Sequence, residues 1–117
     1  MSKKNKVIQE LERFARDRDW EKFHTIKNLC ISLSIEASEL NELIQWDDLT
    51  VNEIKSNKEI IEKFEDELAD IYNYLLMISH KLGIDLDQAS IKKISINEKK
   101  YPISKSKGNS KKYTMLK

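Results

Sequence analysis

Between residues 35 and 70 the chain places acidic side chains at steps of three: Glu36, Glu39 and Glu42, and later Glu67 and Asp70. Residues three apart share a helix face, with Cβ atoms roughly 5–6 Å from each other, so each pair can aim two carboxylates at one point. Two such pairs on facing helices make an oxygen-lined cage for a hard divalent cation. The position of Glu36 sharpens this reading. Leu29, Leu33, Leu40 and Leu43 step by fours and threes along one side of a helix, and residue 36 fills the gap in that series. A charge in an apolar seam is costly unless it is paired or bound to metal. In the later segment Ile61, Phe64, Leu68, Ile71, Leu75, Ile78 and Leu82 form an unbroken apolar stripe. At ~100° per residue, Glu67 and Tyr74 lie about 60–80° from Phe64, with Asp70 further round the same flank. Most charges on helices are solvated decoration. Four carboxylates bordering two apolar seams are instead the pattern of a site.

An all-oxygen ligand set favours Mg²⁺, with Mn²⁺ the alternative. Zinc sites usually draw on His and Cys, which the cluster lacks. A redox di-iron site in a helix bundle needs Glu-x-x-His on two helices. His24 has Glu21 three residues before it, but the only other histidine, His80, has Met77, so the paired motif is absent. Mg²⁺ commonly shares its coordination shell with substrate phosphates, which makes metal-assisted hydrolysis of a phosphoanhydride the leading chemistry. Glu36, the most desolvated of the acids by position, and Glu39 are the candidates to prepare the attacking water. Charge is placed to match. From Ile35 to Asp70 there are twelve acids and three lysines, and from Lys92 to Lys117 nine lysines and one acid, although the net charge is only +1. Carboxylates can hold the cation while lysines neutralise phosphates.

The elements that must position these residues are helices. Two glycines, one proline and no alternating β-branched runs leave an all-α fold, and 117 residues suffice for one domain with its own core. The periodicity predicts a first helix over 6–16 after a disordered start of about five residues. A polar turn follows at 16–20. A second helix begins between Phe23 and Thr25 and runs to about Trp46, with Trp20, His24 and Asn28 recurring every four residues around its entrance. Thr50 with Glu53 has capping-box spacing and opens a third helical region, interrupted near Ser56-Asn57 before a long run from Lys58 to Leu82. Gly83 suits a helix C-terminus, and Asp85 with Gln88 caps a further helix from Leu86 to about Lys100 that Pro102 stops. Residues 102–117 read as a basic, loop-like tail in which Tyr113 and Leu116 are apolar enough to dock. Short connections between such helices predict a four-helix-bundle-like architecture with inward-facing core sites.

The single cysteine, Cys30, fits a reducing compartment and is expected as an inert core thiol. Neither a signal peptide nor a membrane span is legible, so a cytoplasmic protein without a membrane partner is expected. Nucleic acid is a poor partner for an acidic body whose basic residues gather in one tail. The modest hydrophobic fraction, 39%, predicts burial in a homo-oligomer.

One ordered series of residues matches a known pattern. It runs Arg18-Asp19-Trp20-Glu21-Lys22-Phe23-His24 with Asn28-Leu29, then Glu36-x-x-Glu39-Leu40 and Trp46. It continues with Glu67-x-x-Asp70 and Tyr74, then Lys93, Asn97 and Tyr101-Pro102, and closes on Lys112-Tyr113-Thr114. From about residue 10 to 116 the chain resembles the MazG-like nucleotide pyrophosphohydrolases of the all-α NTP pyrophosphatase superfamily, closest to the dCTP pyrophosphatase branch. That resemblance implies Mg²⁺-dependent cleavage of a nucleoside triphosphate, usually a deoxynucleotide, between the α and β phosphates. It implies Glu36, Glu39, Glu67 and Asp70 as metal ligands, and Trp20, His24, Asn28 and Trp46 as lining for base and sugar. Tyr74, Lys93, Asn97 and Tyr101 match positions around phosphates and sugar, and Lys112 with Tyr113 a closing tail segment. It also implies dimers or dimers of dimers. The short Asp47 to Ser56 connection and the extra charge of Glu65-Asp66 depart from the family pattern at the pocket rim. The competing reading is a non-catalytic helical module whose acids are surface charge and whose apolar stripes serve only oligomerisation.

Overall fold

The computed structural model describes residues 2–117, which form helices and turns with no strand among them. The chain resolves into two compact units, the first ending at Gly83 and the second running from Ile84 to Lys117.

The first unit holds four helices: α1 (Lys3–Asp17), α2 (Ile26–Glu42), α3 (Val51–Ser56) and α4 (Lys58–Leu82). Each begins on a side chain that accepts a hydrogen bond from an otherwise unpaired N–H: Ser2, Thr25, Thr50 and Asn57 respectively. The Ser2 cap starts α1 at Lys3, so Lys3, Lys4 and Asn5 are helical where disorder was expected, and Met1 lies outside the described residues. At the other end of α1, Asp19 takes a left-handed conformation, φ 55°. The Trp20 N–H donates to the Ala15 carbonyl at 2.8 Å and the Asp19 N–H to the Arg16 carbonyl at 3.1 Å. This is a Schellman closure with aspartate in the place glycine usually takes. It folds Trp20 back onto α1, edge-to-face with Phe14 at 5.6 Å. A 3₁₀ turn, Glu21–Phe23, then leads into α2.

Helix α2 therefore does not reach back to Trp20, and it also stops short of Trp46. Beyond Glu42 the backbone tightens into bonds from Leu43, Ile44 and Gln45 to carbonyls three residues earlier. No basic residue occupies the last turn, and Asp47 and Asp48 follow, so negative charge meets the negative end of the helix dipole. Trp46 is left 86% exposed.

The principal packing is α2 against α4, with α1 and α3 also resting on α4. Leu29 of α2 and Leu76 of α4 are 1% exposed, and Ala15 of α1 is 4% exposed. The core is thin. Leu68, Leu75 and Leu82 of the expected α4 stripe are exposed, together with Tyr72 and with Ile31 and Ile35 of α2. Cys30 is also exposed and so is not the core thiol expected from its helix face. It lies one residue, ~100° of rotation, past the buried Leu29, on a side of α2 that α4 does not cover.

Gly83 ends α4 in the left-handed region, φ 67°. In the second unit Asp85 caps α5 (Leu86–Lys100), its carboxylate accepting from the Gln88 N–H at 3.1 Å. Tyr101 and Pro102 end that helix, and the tail is more ordered than its composition suggests: α6 (Ile103–Ser106) and a 3₁₀ turn, Tyr113–Met115, lie within it. Tyr113 docks inside this unit, edge-to-face on Tyr101 at 6.0 Å, with the Lys100 ammonium 4.7 Å from its ring centre. Among the described residues, no helix is long and apolar enough to cross a membrane.

Candidate functional site

Packing α2 on α4 brings the two acidic pairs face to face. Carboxylate oxygens of Glu36, Glu67 and Asp70 lie within 4.8 Å of one another. Glu36 and Glu67 are half-buried and Asp70 is exposed, so the cluster spans the boundary between core and solvent. One oxygen of Glu36 and one of Glu67 are shut off from water without a hydrogen-bond donor. Burial pushes the Glu36 carboxyl up to about 7, and the neighbouring Glu39, Glu67 and Asp70 add to the rise. Glu67 is raised too, by burial first and then by Glu39 and Asp70, against a lowering contribution from Glu36. Glu39 lies outside the three-oxygen group, but its charge reaches both glutamates.

Crowded, donor-less carboxylates are unfavourable by themselves and favourable around a cation. The spacing fits one. Two oxygens on opposite sides of a Mg²⁺ ion, each ~2.1 Å from it, are about 4.2 Å apart, close to the span seen here. Glu36, Glu67 and Asp70 would hold the ion, with Glu39 beside them.

Glu36 and Asp70 also line a cavity of about 570 Å³ between α1 and α4. Its walls include Phe14, Trp20 and Tyr74, with His24, Asn73 and Met77. An acidic end beside aromatic walls accommodates a metal-bound anion carrying a flat apolar group. His24 is half-buried, and burial together with Lys81 lowers its pKa, so its imidazole is neutral near pH 7 and offers one donor and one acceptor. His24 and Met77 also line a second cavity of about 280 Å³, beside the 2.8 Å contact of His80 with Glu12.

The structure thus gathers Trp20, His24, Glu36, Asp70 and Tyr74 at one cavity, with Glu67 completing the carboxylate cluster. Asn28 is not among the cavity residues: its amide donates to the Phe23 carbonyl at 2.9 Å and pins the turn that carries His24. Trp46 is exposed and lines neither of these two cavities. Lys93, Asn97, Tyr101, Lys112 and Tyr113 belong to the second unit, where the Asn97 carbonyl accepts from the Tyr101 N–H at 2.8 Å. Sequence reasoning did not single out Phe14, Asn73 or Met77. Asn73 had a legible signal, since it follows Asp70 by three on the same helix face.

The model of the MazG-like family matches residues 31–116, which contain both acidic pairs. The chain belongs to the MazG-like family. It is 39% identical over 105 residues to dCTP pyrophosphatase 1 of Bos taurus, a match covering 88% of this chain and 62% of that protein. It is 37% identical to dCTP pyrophosphatase 1 of Homo sapiens, with 88% and 61% covered. The chain thus spans about 62% of the length of the curated relative from cattle. A crystal structure of a pyrophosphatase from Archaeoglobus fulgidus superposes with a TM-score of 0.76 at 34% identity, covering 87% of this chain and 94% of that one. The family model begins after Trp20, His24 and Asn28, so those three stand on local structure and on the resemblance.

Proposed function

We propose that the chain is a metal-dependent nucleoside triphosphate pyrophosphohydrolase that cleaves the α–β phosphoanhydride of a deoxynucleotide, dCTP or a close relative. One observation carries this reading: Glu36 and Glu67, each with a shielded, donor-less carboxylate oxygen, converge with Asp70, and Glu36 and Asp70 line an aromatic-walled cavity. When bound, Mg²⁺ or Mn²⁺ neutralises phosphate charge and polarises the phosphoryl group under attack. The side chains do the rest. Glu36 and Glu39 orient a water molecule and take its proton as the oxygen adds to phosphorus. The anhydride bond breaks, and pyrophosphate leaves with the bond's electron pair. Trp20 and Tyr74 bound the nucleoside, and the neutral His24 supplies a hydrogen bond. By the resemblance, Lys93, Asn97 and Tyr101 match positions around phosphates and sugar, Lys112 and Tyr113 a closing tail segment, and Asn28 and Trp46 the base and sugar pocket.

The active species is a homo-oligomer, a dimer or a dimer of dimers. The exposed Ile31, Ile35, Leu68, Tyr72 and Leu75 on α2 and α4 support this, because a stripe of that size in water favours a second copy. Incubation with each dNTP and Mg²⁺ tests the reaction. Monophosphate and pyrophosphate are the expected products. Orthophosphate release refutes α–β cleavage, and calorimetry without Mg²⁺-dependent nucleotide binding turns the reading to a non-catalytic helical module.

A further inference from the structure

Asn73 is a half-buried polar side chain of the cavity wall that the proposed reaction does not use; Lys6, Glu10 and Arg13 of the same wall are exposed. It lies on α4 three residues beyond Asp70 and directly before Tyr74, and it is half-buried. Its amide makes no hydrogen bond to another described residue. A half-buried amide has two N–H donors and a carbonyl acceptor to satisfy, and leaving them unmet is unfavourable. Its neighbours in the cavity bound what can meet it. Along α4 the rise from Asp70 to Asn73 is about 4.5 Å. That is the order of the short run of single bonds from a metal-held phosphate to the far edge of the sugar it esterifies. A base held against Phe14 and Trp20 would sit on the α1 side of the cavity, whereas Asn73 is on α4.

We propose that Asn73 is a specificity-determining residue that hydrogen-bonds the 3′-hydroxyl of the nucleotide sugar. The inference rests on the nucleotide reading above and adds the group that the cavity selects. The 3′-hydroxyl can both donate to the Asn73 carbonyl and accept from its N–H, and a sugar without it leaves the half-buried amide without that partner. Sites built around such a pair reject the analogue that lacks it far more strongly than apolar pockets reject a missing methylene.

The test compares dCTP with 2′,3′-dideoxycytidine triphosphate, with Mg²⁺, on the full chain and on Asn73→Leu and Asn73→Ala. The wild-type protein is expected to favour dCTP by about tenfold or more in kcat/KM, the scale of one buried hydrogen bond. Both variants are expected to lose most of that on dCTP while changing little on the dideoxynucleotide, so that the ratio collapses toward one. An unchanged ratio overturns the assignment, as does an equal loss on both nucleotides or a change in base preference instead. A wild-type protein that cleaves neither of these nor any other dNTP overturns the nucleotide reading itself. Activity on dCTP with an unaltered ratio in the variants removes only the role of Asn73.

Discussion

At the scale of single residues, the carboxylate cluster sets opposing demands on stability and on function. Glu36 binds its proton more tightly folded, at about 7, than at the ordinary 4.5. The folded, metal-free state therefore holds more protons than the unfolded chain between those values, and stability falls as pH rises through that window. Chelator-treated protein should melt at a lower temperature at pH 8 than at pH 5, and Mg²⁺ should restore more at pH 8, because the ion competes with protons for the same oxygens. Glu36→Gln removes the charge at nearly constant shape. It is expected to raise the metal-free melting temperature at pH 8 by roughly 5 °C while abolishing the Mg²⁺ response. A Glu36→Gln protein that melts lower than wild type at pH 8 contradicts this account. For catalysis, Asp70→Asn and Glu39→Gln are each expected to reduce turnover by about 10²-fold or more with the helical circular dichroism intact. Full turnover in either variant removes that residue from the machinery.

Among the elements, the α1 terminus matters most to the cavity, because it fixes where Trp20 goes. Asp19 holds the left-handed turn that lets the Trp20 N–H reach the Ala15 carbonyl. Aspartate tolerates this conformation and a β-branched residue does not. Asp19→Val is expected to lower stability by about 1–2 kcal/mol and to raise KM for the nucleotide, as Trp20 loses its placement beside Phe14. Asp19→Gly should keep both near wild type, since glycine enters this region freely and the ion pair of Asp19 with Lys22 is exposed. Denaturant melts with steady-state kinetics decide it, and equal losses in both variants would assign the effect to the ion pair.

For the whole molecule, the first unit is too thin to hide its own apolar stripes, and the uncovered side chains lie along α2 and α4. A second copy laid there would bury Ile31, Ile35, Leu68, Tyr72 and Leu75. Ile31 is 49% exposed, so Ile31→Glu disturbs an isolated chain little and an interface strongly. Light scattering should report wild-type protein as an oligomer and Ile31→Glu as a smaller species. Equal masses for the two proteins would place the interface elsewhere.

Local chemistry was readable without coordinates because it depends on neighbours in the chain. Thr50 and Asp85 cap their helices through their side chains, and Gly83 ends α4 by its free entry to the left-handed region. The interruption read near Ser56-Asn57 falls where Asn57 caps α4, and the step of three put Glu36 and Glu67-x-x-Asp70 on seam edges. Residues whose place depends on distant partners were not readable. Periodicity gives the direction of a helix face, but only packing decides how much of that face is covered, which is why Cys30 and Leu75 are exposed. Spacing by fours suggested one helix face for Trp20, His24 and Asn28, whereas a left-handed aspartate and a 3₁₀ turn bring Trp20 and His24 to the cavity wall and leave Asn28 bonded to the Phe23 carbonyl. The sequence alone could show that the acids were paired. The docking of α2 on α4 decided which oxygens meet, and the packing of α1 on α4 placed Asn73 in the cavity wall beside them.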